Sequence, residues 1–219
     1  MSSLSTNILT LAAGEHRELV FVNEHRLDLH VVQEVGSSLK VHALYISPTA
    51  AVNGASEAQI TVEQKGEGCR TEIYGLAFLH GEEQVHLTTN VQHLVGGSSK
   101  QLIKFVLDDA AQGEFYGQLR IAPDAQKTEA HQTNRNLLLS EQAVMRTRPQ
   151  LEIYADDVKA THGATTGQLD ESALFYMQQR CLDERTARKL LINAFMQDVV
   201  NTLSDEPIKE ELRQQITEL

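Results

Sequence analysis

Three side chains near residue 160 have the chemistry for catalysis or for metal binding. Asp156 and Asp157 are adjacent carboxylates, and His162 follows five residues later in a segment of small residues. An imidazole titrates near neutral pH and is a common metal ligand, whereas paired carboxylates can serve as general acid and base. The local sequence therefore offers two kinds of site, one on the acid pair and one on the histidine.

The acid pair follows an alternating strand pattern in which Leu151, Ile153 and Ala155 share one face. Adjacent strand residues point to opposite faces, so Asp156 and Asp157 do not readily converge on one substrate. Aspartate also favours turns because its side chain bonds the nearby backbone. We therefore predict a turn at the acid pair, followed by a second short strand.

His162 has two interpretations that the residues alone leave open. Its imidazole could hydrogen-bond the backbone of a tight segment, or it could supply part of the ligand shell of an iron site. The other eight histidines show no ligand spacing such as HExxH. Among them, His86 and His93 are predicted to lie at the surface.

Composition narrows the class of protein. The formal net charge of −11 over 219 residues argues against nucleic-acid binding, which needs a surplus of Lys and Arg. No apolar run approaches the roughly 20 residues of a membrane span. The amino terminus, Met1–Thr6, lacks the basic start and apolar stretch of a secretory signal, so we expect a cytoplasmic protein.

The two cysteines, Cys69 and Cys181, lie far apart and form no disulfide framework. They also cannot supply the four thiolates that an iron–sulfur cluster commonly takes from protein. We predict that Cys69 is a small buried strand residue and that Cys181 lies at a corner between helices. The segment Gly96–Lys100 lacks Walker spacing, so no nucleotide site is predicted on this chain.

Residues 7 to 160 show a strand-like pattern with turn clusters at Gly36-Ser37-Ser38, Gly66-Glu67-Gly68, Gly96-Gly97-Ser98-Ser99 and Asp108-Asp109. The predicted strands are centred on 27–31, 40–46, 58–63, 70–79, 84–93, 101–107, 114–121, 136–139 and 150–154. Irregular spacing favours a β-solenoid. A hairpin sandwich stays open as the alternative, although Asn53-Gly54 is the only two-residue turn of the hairpin type.

After Gly167 the apolar period changes from two to about 3.6. Asp170 and Asp183 are predicted helix N-caps, and Pro207 stands near the start of a last amphipathic helix. The predicted apolar stripe of the middle helix comprises Ala187, Leu190, Leu191, Ala194, Phe195, Val199 and Leu203. We therefore predict two domains, a β domain at 1–167 and a small helical domain at 168–219, with part of the helical apolar surface docked on the β body or on a partner.

A collinear set of motifs extends from the predicted strands into the helices. It comprises Asn136-Leu137-Leu138-Leu139, Pro149 to Lys159, His162-Gly163-Ala164-Thr165, Leu174-Phe175-Tyr176, Gln179-Arg180 and Ala194-Phe195. On these residues the chain resembles the SufB/SufD family of iron–sulfur cluster assembly proteins, and most closely its SufD members.

The resemblance implies a mainly β fold, namely a right-handed parallel β-helix followed by a short α-helical domain. It also implies a non-catalytic scaffold that pairs with a SufB-like chain through the β-helices and binds a SufC-like ATPase through the carboxy-terminal helices. In that family, the histidine that matches His162 helps to hold a transient iron–sulfur cluster shared with the partner chain. Any ATP chemistry would then belong to the ATPase.

Two departures from the family pattern are visible. Relatives commonly have cysteine where this chain has Ala160, so a thiolate role at that position is absent; a natural difference and a deliberate replacement are equally compatible with this. Many relatives also have a long amino-terminal helical region, so the chain resembles a shortened form.

Two alternatives to a heteromeric scaffold stay open. One is a self-paired homodimer joined through the β-helix. The other is a carbohydrate-active β-helix enzyme, which would need three or more carboxylate or basic groups converging on one outer face. An aromatic fraction of only 5% and the absence of Trp for stacking sugars count against the enzyme.

Overall fold

A computed structural model describes residues 8–46 and 55–218. The predicted turn at Asn53-Gly54 and the amino-terminal stretch Met1–Thr6 lie outside the described residues. No helix in the described part is long and apolar enough to cross a membrane.

The described residues form twelve strands and then three helices. The strands are β1 (Ile8–Leu11), β2 (His16–Val22), β3 (Arg26–Gln33), β4 (Ser38–Ile46), β5 (Ser56–Gln64), β6 (Cys69–Leu79), β7 (Gln84–His93), β8 (Gly97–Leu107), β9 (Gln112–Ile121), β10 (Glu129–Leu138), β11 (Val144–Ile153) and β12 (Lys159–Gly167). The helices are α1 (Glu171–Gln179), α2 (Glu184–Val200) and α3 (Glu206–Glu218).

Successive strands alternate between two sheets. Sheet A has the order β1-β3-β5-β7-β9-β11, and sheet B has the order β12-β10-β8-β6-β4-β2. The pairings within both sheets are parallel. Each turn of the chain therefore adds one strand to each sheet, which is a β-solenoid. The predicted mainly β fold with carboxy-terminal helices is confirmed, and the hairpin sandwich is wrong.

Alternation along each strand divides its residues between an inner and an outer face. The inner faces of both sheets enclose one apolar core, which includes Val41, Ile60 and Phe105. The outer face of sheet B carries a second cluster, in which Leu76 and Val106 pack with Met196 and Val199 of α2. The apolar surface of the helices thus docks on the β body.

Both predicted N-caps are present. Asp170 Oδ1 accepts from Ser172 N, and Asp183 Oδ1 accepts from Thr186 N, each at 2.9 Å. Pro207 is the second residue of α3. Cys181 is exposed at the corner between α1 and α2, where its φ of 65° is one that glycine adopts easily.

The predicted stripe of α2 is wrong in part. Ala187, Val199 and Leu203 are buried as expected, whereas Leu190 and Ala194 are exposed. The face that packs against sheet B instead includes Met196 and Val200. The carbonyl of Phe195, directly before Met196, accepts a hydrogen bond from a buried lysine of sheet B, so this side of α2 is the one in contact with the sheet.

Two predictions about the strands are also wrong. Gly97 to Ser99 belong to β8 rather than to a turn. His93 is fully buried rather than at the surface, because it continues the inward register of Gln33 and Gln64 in sheet A. His86 lies on the outer face, and its side chain is 42% exposed, so its surface position is confirmed.

Candidate functional site

The terminal strand of sheet B carries His162 and is the least covered strand of that sheet. In the described residues β12 pairs with β10 alone and ends the strand order. Eight of its nine residues, Lys159 and Thr161 to Gly167, are exposed. A Cβ added at Gly163 would meet no atom within 4 Å, so the space beside the strand is open. We call this surface the open end of the solenoid.

The bend at the acid pair sets where β12 begins. Asp157 O accepts from Lys127 N at 2.6 Å, and Asp157 N donates to Gln126 Oε1 at 3.0 Å. Ala155, just before the bend, is buried in a small cluster with Leu119. The predicted turn is confirmed at Asp156 and Asp157. Both carboxyl side chains are exposed, and the backbone contacts of Asp157 describe an anchor for β12.

His162 occupies an inward register position although its side chain is exposed. His162 pairs with Gln132 of β10, Gln132 pairs with Gln101 of β8, and Gln101 pairs with Ile73 of β6. Gln101 and Gln132 are buried inside the solenoid. Because β12 is the terminal strand, His162 has no further rung above it in the described sheet. The imidazole is therefore positioned by a rigid ladder and is accessible at the same time.

The histidine on the neighbouring strand does not share this site. His131 lies on the outer face of β10, where its Nδ1 is 2.8 Å from Thr161 Oγ1. Side chains one residue apart on a strand point to opposite faces, so His131 and His162 face away from each other. Ala160, on the same inward face as His162, offers no ligand atom.

Within residues 8–46 and 55–218, no group of three or more His, Cys, Asp or Glu side chains is placed to hold a metal ion. The open end can therefore contribute one imidazole to an iron centre, and the remaining ligands would have to come from elsewhere. Imidazole is a suitable ligand for iron. Chemically, the open end can supply part of a metal site.

The covered outer face of sheet B, defined as its contact with α2 and the residues that follow, contains a buried cation that sequence reasoning missed. Lys104 is 1% exposed. Its Nζ donates to Phe195 O and to Asp198 Oδ2, both at 2.6 Å, and lies 4.5 Å from the Phe195 ring centroid. Desolvation lowers the pKa of Lys104, and Asp198 opposes this shift. The sequence signal for a buried cation was Lys104 itself, which lies between Leu102 and Val106 on the otherwise apolar outer face of β8.

Two buried histidines were also missed as interior groups. His42 places Nε2 2.9 Å from Thr202 Oγ1 and stacks on Tyr74 at 5.1 Å. His93 places Nε2 2.8 Å from Ser99 Oγ. Desolvation lowers the pKa of each to about 4.

Helix α1 leaves an apolar surface uncovered. It has no buried residue, and Phe175 and Tyr176 are 62% and 60% exposed. Leu190 of α2 is also exposed, at 44%. Large exposed side chains at neighbouring positions mark a candidate interaction surface.

A shallow groove on the outer face of sheet A is lined by three carboxylates, Asp28, Glu57 and Glu114, together with Arg26 and His86. His86 Nε2 lies 3.9 Å from Glu114 Oε2. The groove thus has the charged groups that the enzyme alternative requires, although Tyr116 is the only aromatic side chain that lines it.

Comparison with known proteins places the chain. A family model described as the SUF system FeS cluster assembly SufBD core domain matches residues 4–195. The chain is 34% identical over 208 residues to the iron–sulfur cluster assembly protein SufD of Escherichia coli (strain K12), which covers 94% of this chain and 48% of that protein. It is 37% identical over 161 residues to a SufBD family protein of Synechocystis sp., covering 73% of this chain and 35% of that protein.

The SufD protein of Bacillus subtilis (strain 168) is 32% identical over 161 residues, which is 73% of this chain and 37% of that protein. The chain thus spans about half the length of the E. coli relative and about a third of the other two. The family match extends through β12 and into α2. The chain belongs to the SufBD family of the SUF system for iron–sulfur cluster assembly.

Proposed function

We propose that this chain is a non-catalytic scaffold subunit of a SUF-type complex, in which it pairs with a SufB-like chain and binds a SufC-like ATPase. The observation that carries the proposal is the open end, where an exposed strand in a regular ladder presents His162. We further propose a cytoplasmic location, and no nucleic-acid, membrane or nucleotide ligand of its own. A transient iron–sulfur cluster, shared with the partner chain, is the cargo.

The open end supports pairing because a terminal strand offers unpaired backbone N–H and C=O groups to another chain. Natural proteins usually block such an edge with charges or proline. The terminal strand of sheet A follows this rule, since β11 contains Pro149 and the charged Arg146 and Arg148. From His162 to Gly167, β12 has only His, Gly, Ala and Thr. It is therefore the more accessible edge for a partner.

The single imidazole of His162 supports a shared cluster. A site that is complete on one chain would hold iron tightly, whereas an assembly scaffold must release its product. With one ligand here and Ala160 at the position two residues earlier, the thiolates must come from the partner. Pairing at the open end would bring both ligand sets to one place.

Exposed Phe175 and Tyr176 support docking of the ATPase on the helical part. In this proposal residues 1–167 form the β-helix core domain and residues 168–219 the docking domain. Closure of two ATPase chains upon ATP binding would pull on the helices. Because Lys104 of β8 bonds Phe195 and Asp198 of α2, the pull would reach sheet B. It would rearrange the interface at the open end and expose the ligands that pairing with the partner had covered.

The first experiment tests complex formation. The chain is co-expressed with SufB-like and SufC-like proteins, and the complex is sized by sedimentation. Phe175→Ser combined with Tyr176→Ser should release the ATPase and leave the SufB-like chain bound. Val35→Ser is the matched control, because Val35 is also exposed, at 57%, in the loop after β3. Retention of the ATPase by the double variant would contradict docking on α1.

The second experiment tests the ligand. Anaerobic cluster reconstitution in the complex is followed by absorbance for the unmodified chain, His162→Ala and the control His86→Ala. We expect His162→Ala to lower the cluster yield at least tenfold, with the control unchanged. An unmodified yield with His162→Ala would show that the ligand role is wrong.

The same experiments decide between the alternatives. A dimer of this chain that excludes the SufB-like protein would favour the self-paired scaffold, since the open end could also pair with its own copy. The groove on sheet A is the observation that favours an enzyme. Cleavage of a polysaccharide that is lost with Glu57→Gln would support it over the scaffold.

A further inference from the structure

The buried amides on the rungs before His162 form a polar file that ends in a free acceptor. Gln101 Oε1 accepts from Thr89 Oγ1 at 2.7 Å and from Gln132 Nε2 at 3.3 Å. Gln132 is 1% exposed, and its Oε1, like the Nε2 of Gln101, has no hydrogen-bond partner among the described residues. A buried oxygen without a donor costs roughly 1–3 kcal/mol. The next rung of the ladder after Gln132 is His162.

The structure shows that side chains on adjacent rungs reach each other here. Neighbouring strands lie about 4.8 Å apart. Gln132 bonds its rung partner Gln101 on one side. On the opposite face, one residue before Gln132 on β10, His131 Nδ1 lies 2.8 Å from Oγ1 of its rung partner Thr161 on β12. His162 occupies the rung next to Gln132, so rotation of its exposed side chain toward the solenoid would bring the imidazole within hydrogen-bond reach of Gln132, although the structure shows no bond between them.

We propose that Gln132 is a positioning residue for His162. In the complex, its Oε1 would accept the proton of one ring nitrogen, which would fix the tautomer and leave the other nitrogen directed to the open end. Histidines that bind metal almost always donate their second N–H to an acceptor, most often a carboxylate, a backbone carbonyl or water, and the side-chain amide oxygen of Gln132 would take that role here. The inference rests on the proposed ligand role of His162 and adds the group that makes this imidazole a ready ligand.

Three variants separate positioning from packing. Gln132→Leu removes the acceptor. Gln132→Glu keeps an acceptor oxygen but loses the Nε2 donor to Gln101 Oε1, and a carboxylate accepts more strongly than an amide. Gln64→Leu is the matched control, because Gln64 is a buried glutamine whose Oε1 is likewise unpartnered and whose hydrogen bonds go to Thr71 and Ser98. Urea unfolding and sedimentation with the partner establish that each variant folds and pairs.

The readout is the imidazole itself. Pulsed electron paramagnetic resonance of the reduced cluster in the complex detects the remote nitrogen of a coordinated imidazole, whose quadrupole coupling changes with its hydrogen bond. We expect the coupling to be the same in the unmodified and Gln64→Leu complexes, and to shift in Gln132→Glu as it does for a stronger acceptor. In Gln132→Leu it should change, and the cluster yield should fall about tenfold, the lower end for loss of such an acceptor.

The outcomes distinguish the two proposals. A nitrogen signal that disappears with His162→Ala but is identical in Gln132→Leu would support His162 as a ligand and overturn the positioning role of Gln132. Loss of the nitrogen signal in both Gln132 variants would show that an acceptor oxygen at this position does not suffice to position His162, which also overturns the positioning role. No nitrogen signal in the unmodified complex would overturn the ligand role and the positioning role together.

Discussion

The covered outer face of sheet B and the open end present sheet surface in opposite ways. On the covered face, Lys104 and His42 are buried, and each has a polar partner on or just after α2. At the open end, His162 belongs to the same sheet but has solvent beside it. A polar group inside apolar packing is stable only when it is paired, so the covered face is a completed interface.

The difference shows which surface of sheet B has a covering element in the described chain and which surface has none. α2 and α3 satisfy the outer face of sheet B, and the buried cluster there is continuous from Leu44 to Ile216. Nothing in the described chain does the same for β12. The contrast predicts that changes on the covered side alter stability, whereas changes at the open end alter assembly and leave stability intact.

The largest effect should come from pH. The folded-state pKa values of His42 and His93, about 4, lie below the ordinary value of 6.5. The unfolded chain therefore binds more protons between these values, so stability is full above pH 6.5 and falls as the pH approaches 4. Each histidine should remove about 3 kcal/mol over that range.

Urea unfolding at pH 7.5, 6, 5 and 4 measures this loss. His93→Gln and His42→Gln should each flatten the profile, because an amide can still bond its hydroxyl partner but does not titrate. His86→Gln, at an exposed position, should leave the profile unchanged. Equal profiles for the three variants would show that the two buried imidazoles are not the groups that titrate.

The next effect concerns the buried cation. Asp198→Ala leaves Lys104 buried with only a carbonyl and a ring beside it, and we expect a loss of about 3 kcal/mol in the free energy of unfolding. Lys104→Met should cost less, because Asp198 is 58% exposed and can be hydrated when the lysine is removed. Chemical unfolding at neutral pH compares the two. A larger loss for Lys104→Met would mean that packing of the lysine stem, rather than its charge, fastens α2.

The sequence predicts the architecture better than it predicts which polar residues are inside. Alternation and the change of period after Gly167 suffice for a solenoid with helices, because they reflect burial directly. The inward position of His93 depends on the register between coils, which one strand does not reveal. The burial of Lys104 is explained only by the facing helix α2. The burial of Gln132 is explained only by its position on the inner face of the solenoid, next to Gln101. The exposed position of His162 follows only from β12 being the terminal strand of sheet B in the described residues.

The smallest effect on stability, and the sharpest test of the comparison, belongs to the open end. Thr165→Lys places a charge on the exposed outer side of β12, as natural edge strands do to prevent pairing. The free energy of unfolding should stay within about 0.5 kcal/mol of the unmodified value, while binding to the SufB-like chain weakens about tenfold, or about 1.4 kcal/mol. Thr10→Lys is the matched control, since Thr10 is exposed on β1, which is the terminal strand of sheet A at the opposite end of the solenoid. If both lysines weaken pairing equally, the partner does not bind selectively at the open end. If only Thr165→Lys weakens pairing, the partner covers β12 as α2 covers the outer face of sheet B.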